Sequence, residues 1–137
     1  MLREIAGVRQ DEPGRVRRWF HDDYFELFVW QSETRQVLMF QLCYGGASSE
    51  RALVWREDLG FFHDGVPPGP GSTDLAASRF PAKSIGERFA RDAASVPQDV
   101  SSFVLAKITE YAETPPPPRA ARGRFRREDW QRRAAKA

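Results

Sequence analysis

The sequence predicts an α+β domain: an antiparallel β-meander of four to five strands, then two C-terminal helices packed on one sheet face, then a basic tail. Three observations lead there. Runs rich in aromatic and branched residues, joined by links of only a few residues, fill positions 24–66. Two stretches with apolar residues at helical spacing follow them. Four consecutive prolines then separate these from an arginine-rich end.

Residues 3–10 (REIAGVRQ) form a short strand in this reading, with Ile5 and Val8 as its large apolar residues and Gly7 permitting a bend. Residues 11–14 (DEPG) read as a turn, because proline presets φ and glycine accepts a positive one. Residues 15–20 supply a second strand that leads to the acidic link His21-Asp22-Asp23. The clearest strands are 24–31 (YFELFVWQ), 36–44 (QVLMFQLCY) and 51–57 (RALVWRE), and 60–66 (GFFHDGV) adds a shorter one. Links this short suit antiparallel neighbours, since parallel strands need a long crossover. In strict alternation, Leu38, Phe40, Leu42 and Tyr44 share one face of the central strand, and Val37, Met39 and Cys43 share the other, with Gln41 the polar exception. Both faces are therefore apolar, which predicts that something covers each of them.

Residues 66–73 (VPPGPGST) continue neither a strand nor a helix and mark a loop. Ser84 and Glu87 have the spacing of a capping box, with Ile85, Phe89 and Ala93 at helical spacing behind it. The second helix covers about 98–113, with Val100, Phe103, Val104, Ile108 and Tyr111 on one stripe. The division is thus a domain at 1–113, a polyproline spacer at 114–118 and a tail at 119–137, either disordered or partly helical. The tail carries eight basic and two acidic residues, net +6. Residues 1–118 carry thirteen basic and seventeen acidic ones, net −4. The high isoelectric point is a property of the tail.

A single cysteine, Cys43, permits no intrachain disulfide and suits a reducing compartment. With no apolar run of secretion-signal or membrane-helix length, the expected location is the cytoplasm. No glycine-rich phosphate loop and no nucleophile elbow is present, so no cofactor is implied.

Three sets of residues are candidates for function. Tyr24, Phe28, Trp30 and Trp55 form an apolar sheet face for a ligand or partner, most simply a second copy of the chain as a homodimer. The competing reading is that such aromatics fill a small core. His21 and His63 each stand next to carboxylates. If the strand ends meet, His21, Asp23, His63 and Asp64 provide imidazoles and carboxylates for a divalent metal or acid–base chemistry. The competing reading is a pair of strand-terminal turns. Arg122, Arg124, Arg126, Arg127 and Trp130 give the tail the charge to contact nucleic-acid phosphates non-specifically, against a merely solubilising role. The expected function is accordingly non-enzymatic binding through the sheet, with a small metal protein or enzyme and a nucleic-acid accessory protein as alternatives.

The succession RRWFHDDYFELFVWQ, QVLMFQLCY, ERALVWRE and GFFHDGV, with SFVLAK at 102–107, resembles a group of short bacterial conserved hypothetical proteins. The likeness covers about residues 15–112. It implies that 1–113 is a complete unit, and it carries over no activity, substrate or catalytic residue.

Overall fold

The structure is a computed structural model and describes residues 1–10, 12–46, 51–64 and 80–113. Six strands form one antiparallel sheet in sequence order: β1 (Arg3–Glu4), β2 (Arg15–His21), β3 (Glu26–Ser32), β4 (Val37–Cys43), β5 (Ala52–Arg56) and β6 (Gly60–Asp64). Two helices follow, α1 (Ala82–Asp92) and α2 (Gln98–Glu113). The α+β class and the packing of helices on the sheet are as the sequence predicts, and the meander expected to have four to five strands has six, counting the short N-terminal one read at 3–10. That N-terminal strand is shorter than the expected 3–10, because Arg3 and Glu4 alone bridge to His21 and Phe20. The Ile5 N–H still donates to the Trp19 carbonyl at 2.7 Å, after which the chain leaves β2 and Gly7 takes φ 71° in the bend. The Gln10 side chain then stands in for a strand: its amide donates to the Arg17 carbonyl at 2.7 Å and accepts from the Arg17 N–H at 2.8 Å. This satisfies backbone groups that an edge strand would otherwise present. Arg18 locks β1 to β2 through two 2.8 Å bonds to the Glu4 carboxylate, the bidentate geometry a guanidinium favours.

Short polar links make each hairpin. Asp22 folds the β2–β3 link, its carboxylate accepting from the N–H groups of Tyr24 and Phe25 at 2.8 and 2.6 Å. The β3–β4 link is closed by the Arg35 N–H on the Ser32 carbonyl, with Arg35 at φ 69°. Between Trp30 and Gln31 the register slips, so that Gln31 faces Val37 while Trp30 faces Met39. Leu38 is the extra residue, a β-bulge. The bulge corrects the strict alternation expected for β4: Val37 joins the helix-side core with Phe40 and Leu42 rather than sharing a face with Met39 and Cys43.

The helices cover one face. Rows Phe20–Leu27–Leu42–Leu53 and Val29–Phe40–Trp55–Phe61 run across it by register. From α1, Ile85 and Phe89 enter this core, one turn apart. From α2, Val100, Val104 and Ile108 do the same. Phe89 meets Phe25 edge-to-face at 5.7 Å, which lays α1 over the β2–β3 end of the sheet. α2 runs from the β3–β4 hairpin, where Asp99 lies 3.5 Å from Arg35, to the β6 edge, where Tyr111 lies 5.2 Å from Phe61. The expected capping box is not formed. Pro81, already at helix-compatible φ, occupies the N-cap, so the helix begins at Ala82 and Ser84 falls inside its first turn, donating to the Pro81 carbonyl. Among the described residues no helix is long and apolar enough to cross a membrane.

Candidate functional site on the second sheet face

Side chains alternate along a strand, so the register defines what lies on the face away from the helices. Its middle row is Trp19, Phe28, Gln41, Val54 and Phe62, taken from β2 to β6. One flanking row is His21, Glu26, Cys43 and Ala52, and the other is Arg17, Trp30, Met39 and Arg56. Phe28, Trp30, Cys43, Ala52 and Val54 form a second buried cluster, with Val8, Trp19, Met39 and Phe62 packed around it. Trp19 and Phe28 stack at 5.6 Å. Phe28 retains 2% of its exposure and Trp30 6%, although neither helix contributes to this cluster among the described residues.

Two buried polar groups interrupt the apolar surface. Glu26 is 1% exposed and accepts from the Trp19 indole N–H at 3.0 Å. Gln41, also 1% exposed, directs its amide nitrogen at the Cys43 sulfur at 3.1 Å. Its carbonyl oxygen is buried with no hydrogen-bond partner among the described residues. Sulfur is a weak partner, so the Gln41 amide is poorly satisfied in either orientation. Leaving such a group unpaired typically costs about 1–3 kcal/mol.

The four residues expected to form one apolar face are divided by the structure. Phe28 and Trp30 lie on the second face. Trp55 faces the helices, because along β5 it alternates with Val54. There it packs on Phe103 at 5.1 Å, with the Lys107 ammonium 4.6 Å above its ring. Tyr24 belongs to the helix side too, capped by the Arg88 guanidinium at 3.7 Å from the ring centroid. Trp19, Val54 and Phe62 take the places on the second face that were not assigned from sequence. Exact alternation from Phe28 through its partners Gln41 and Val54 is the signal that finds them. Glu26 was not picked out, since a carboxylate that begins a strand after a turn looks solvent-facing.

His21 and His63 are not brought together. His21 is exposed on β2 beside the second face. His63 lies on β6, opposite Leu53, and faces the helices. Four strand spacings separate the two strands, roughly 19 Å, and the sheet itself intervenes. His63 is instead part of an aromatic group. Its Nε2 is 2.6 Å from the Tyr44 hydroxyl, the two rings stack, and Phe80 and Tyr111 pack against it. Burial pushes the Tyr44 phenol above its usual pKa, so it remains a neutral hydrogen-bonding group. Asp23 is exposed in the β2–β3 link, and Asp64 closes β6 with only its backbone described. Among the described residues no three His, Cys, Asp or Glu side chains converge as a metal site requires. Arg122, Arg124, Arg126, Arg127 and Trp130 lie outside the described residues. Comparison with protein-family models, curated proteins and solved structures finds no match to this chain.

Proposed function

We propose that this chain is a small non-enzymatic binding domain that holds a polypeptide on its second sheet face. The observation that carries the reading is the row Trp19–Phe28–Gln41–Val54–Phe62, an apolar strip with, at its centre, an amide whose oxygen has no partner among the described residues. A leucine in place of Gln41 would pack there without the penalty of a buried amide. Departures of this kind from the rules of stable packing concentrate at functional sites. Aromatic side chains flanked by guanidinium groups are also the composition of protein-binding surfaces, and Arg17 and Arg56 border the strip. Two groups with acid–base potential are engaged structurally, Asp22 in a turn and His63 with Tyr44, which favours binding over catalysis.

Sheet-to-sheet pairing of two copies, the homodimer expected from the sequence, is one form of this reading. Cys43 reports on all forms, because it lies on the same face and is the only thiol in the chain. In the native protein it is expected to react with a thiol reagent on the order of a hundredfold more slowly than after denaturation, as a covered group does. Reaction at the rate of an exposed thiol would remove the reading. Light scattering separates a mass near 15.7 kDa from twice that value and so decides for or against pairing.

A further inference from the structure

We infer that the Tyr44–His63 contact is an acid-sensitive clasp, which holds the edge strand β6 and the last turn of α2 in place while the His63 imidazole is neutral. Nothing in it depends on what the second sheet face binds.

The contact joins segments that are far apart in the chain. Tyr44 follows β4, His63 belongs to β6, Phe80 precedes α1, and Tyr111 is in the last turn of α2. Around His63 they form one group. The Tyr44 ring stacks on the imidazole at 6.0 Å, Phe80 meets it edge-to-face at 5.4 Å, and Tyr111 lies at 6.5 Å. Phe80 and Tyr111 also pack on each other at 5.8 Å. Phe62, next to His63 in β6, belongs to the packing of the other face, so a shift of this strand reaches both sides of the sheet.

The direction of the hydrogen bond decides how the group responds to acid. Tyr44 is 3% exposed, and the partner of its hydroxyl among the described residues is His63 Nε2 at 2.6 Å. A buried hydroxyl needs an acceptor for its proton. Nε2 can accept only with its lone pair free, which places the single imidazole proton on Nδ1. The groups around the pair offer no substitute acceptor among the described residues. Arg51, joined to Tyr44 through the backbone, is a cation with donors only. Tyr24 acts on Tyr44 through charge alone. From α2, Tyr111 approaches the imidazole with its ring, and the nearby charges Lys107 and Glu110 pair with each other at 2.9 Å. Leu53, opposite His63 on β5, and Phe80 present hydrocarbon.

Protonating Nε2 in the folded protein therefore deprives a buried O–H of its acceptor. The folded state binds this proton more weakly than the unfolded chain, where histidine titrates near about pH 6.5. The stability contributed by the clasp is complete above that pH and is lost as pH falls through it. For one proton the loss is at most about tenfold in the opening equilibrium per pH unit. Carboxylates titrate at about 4, which leaves the window from pH 7.5 to 5.5 to the imidazoles.

The test uses the full chain. Nitrogen NMR of the histidine rings at pH 8 is expected to find the His63 proton on Nδ1 and a free lone pair on Nε2. Hydrogen exchange, corrected for the intrinsic rate at each pH, then follows the backbone amides of Phe62 and Tyr111. Their protection is expected to fall about fivefold between pH 7.5 and 5.5. His63→Gln offers a neutral acceptor at every pH and is expected to abolish the fall. Tyr44→Phe removes the hydroxyl that needs the acceptor and is expected to reduce it. His21→Gln removes the other imidazole of the chain and is expected to leave it unchanged. A proton on Nε2 at pH 8 would overturn the clasp, whether or not any variant folds. So would a fall that persists in His63→Gln, stays complete in Tyr44→Phe, or disappears in His21→Gln.

Discussion

Phe40 and Phe28 stand on neighbouring strands, one on each face of the sheet, and solvent reaches neither. Phe40 is enclosed by regular structure. Trp55 stacks beside it at 6.3 Å and Phe103 of α2 meets it edge-on at 6.4 Å. Phe28 has the stacked ring of Trp19 and the side chains of its own face, with neither helix above it. The same sheet thus supports two kinds of core. One is a close-packed layer between secondary structures. The other is a strip to which neither helix contributes among the described residues, and it carries a buried carboxylate and a poorly satisfied amide.

If the two faces differ in this way, truncating the matched phenylalanines separates them. Phe40→Ala is expected to lose about 4 kcal/mol, because helix and sheet hold the cavity open around the missing ring. That is most of the stability of an ordinary domain of this size. Phe28→Ala is expected to lose about half as much, roughly 2 kcal/mol, since neither described helix packs over it to hold the cavity open. Urea unfolding with unchanged slope measures both. Equal losses would mean that the second face is an ordinary core and would end the distinction.

How far this division was legible in the sequence depends on the element. Strand identity was plain, because short aromatic and branched runs with turn residues between them have few other solutions. That both faces are apolar was also readable from β4. Which residue lies on which face was not, since facing depends on parity, and one residue resets it. The Leu38 bulge moves Val37 to the helix side, and nothing in QVLMFQLCY marks Leu38 as the residue left over. Trp55 and Val54 show the converse case. Plain alternation places them on opposite faces, but grouping aromatics by type put Trp55 with Phe28 and Trp30. The start of α1 turned on competition between two N-terminal signals, and Pro81 with its fixed φ prevailed over Ser84. His21 and His63 resemble each other as motifs, yet their separation is set by the order of six strands, a property of long-range pairing.

Alkaline pH acts on the helix-covered face. The Tyr44 phenol is raised above its unfolded value by burial. The folded protein therefore keeps its proton where the unfolded chain, with a tyrosine pKa of about 10, begins to lose it. The resulting stability is complete below pH 10 and declines as pH rises past that value toward the folded pKa, by at most about 1.4 kcal/mol per pH unit for this one proton. Tyr111, raised by burial as well, acts in the same direction. Tyr44→Phe is expected to flatten the decline between pH 9.5 and 11, while also losing the hydrogen bond to His63 at every pH. An unchanged slope in the variant would show that the alkaline loss originates elsewhere.

The smallest expected effect bears most directly on the second face. Gln41 sits between Phe28 and Val54 with its carbonyl oxygen unpaired among the described residues, and its amide nitrogen faces only the weakly accepting sulfur of Cys43. Leucine has similar volume and needs no partner, so Gln41→Leu is expected to raise stability by about 1 kcal/mol, read as a higher urea midpoint. The buried glutamine on the helix side, Gln31, differs in being paired, since its amide donates to the Arg35 carbonyl at 3.0 Å. A gain would identify Gln41 as a group retained against stability, the expected trade at a surface that must release one partner and accept another. A loss of 1 kcal/mol or more would carry a different lesson: the occupant of the strip would then be donating a hydrogen bond to that carbonyl, and the amide would be a fixed part of how the face is closed.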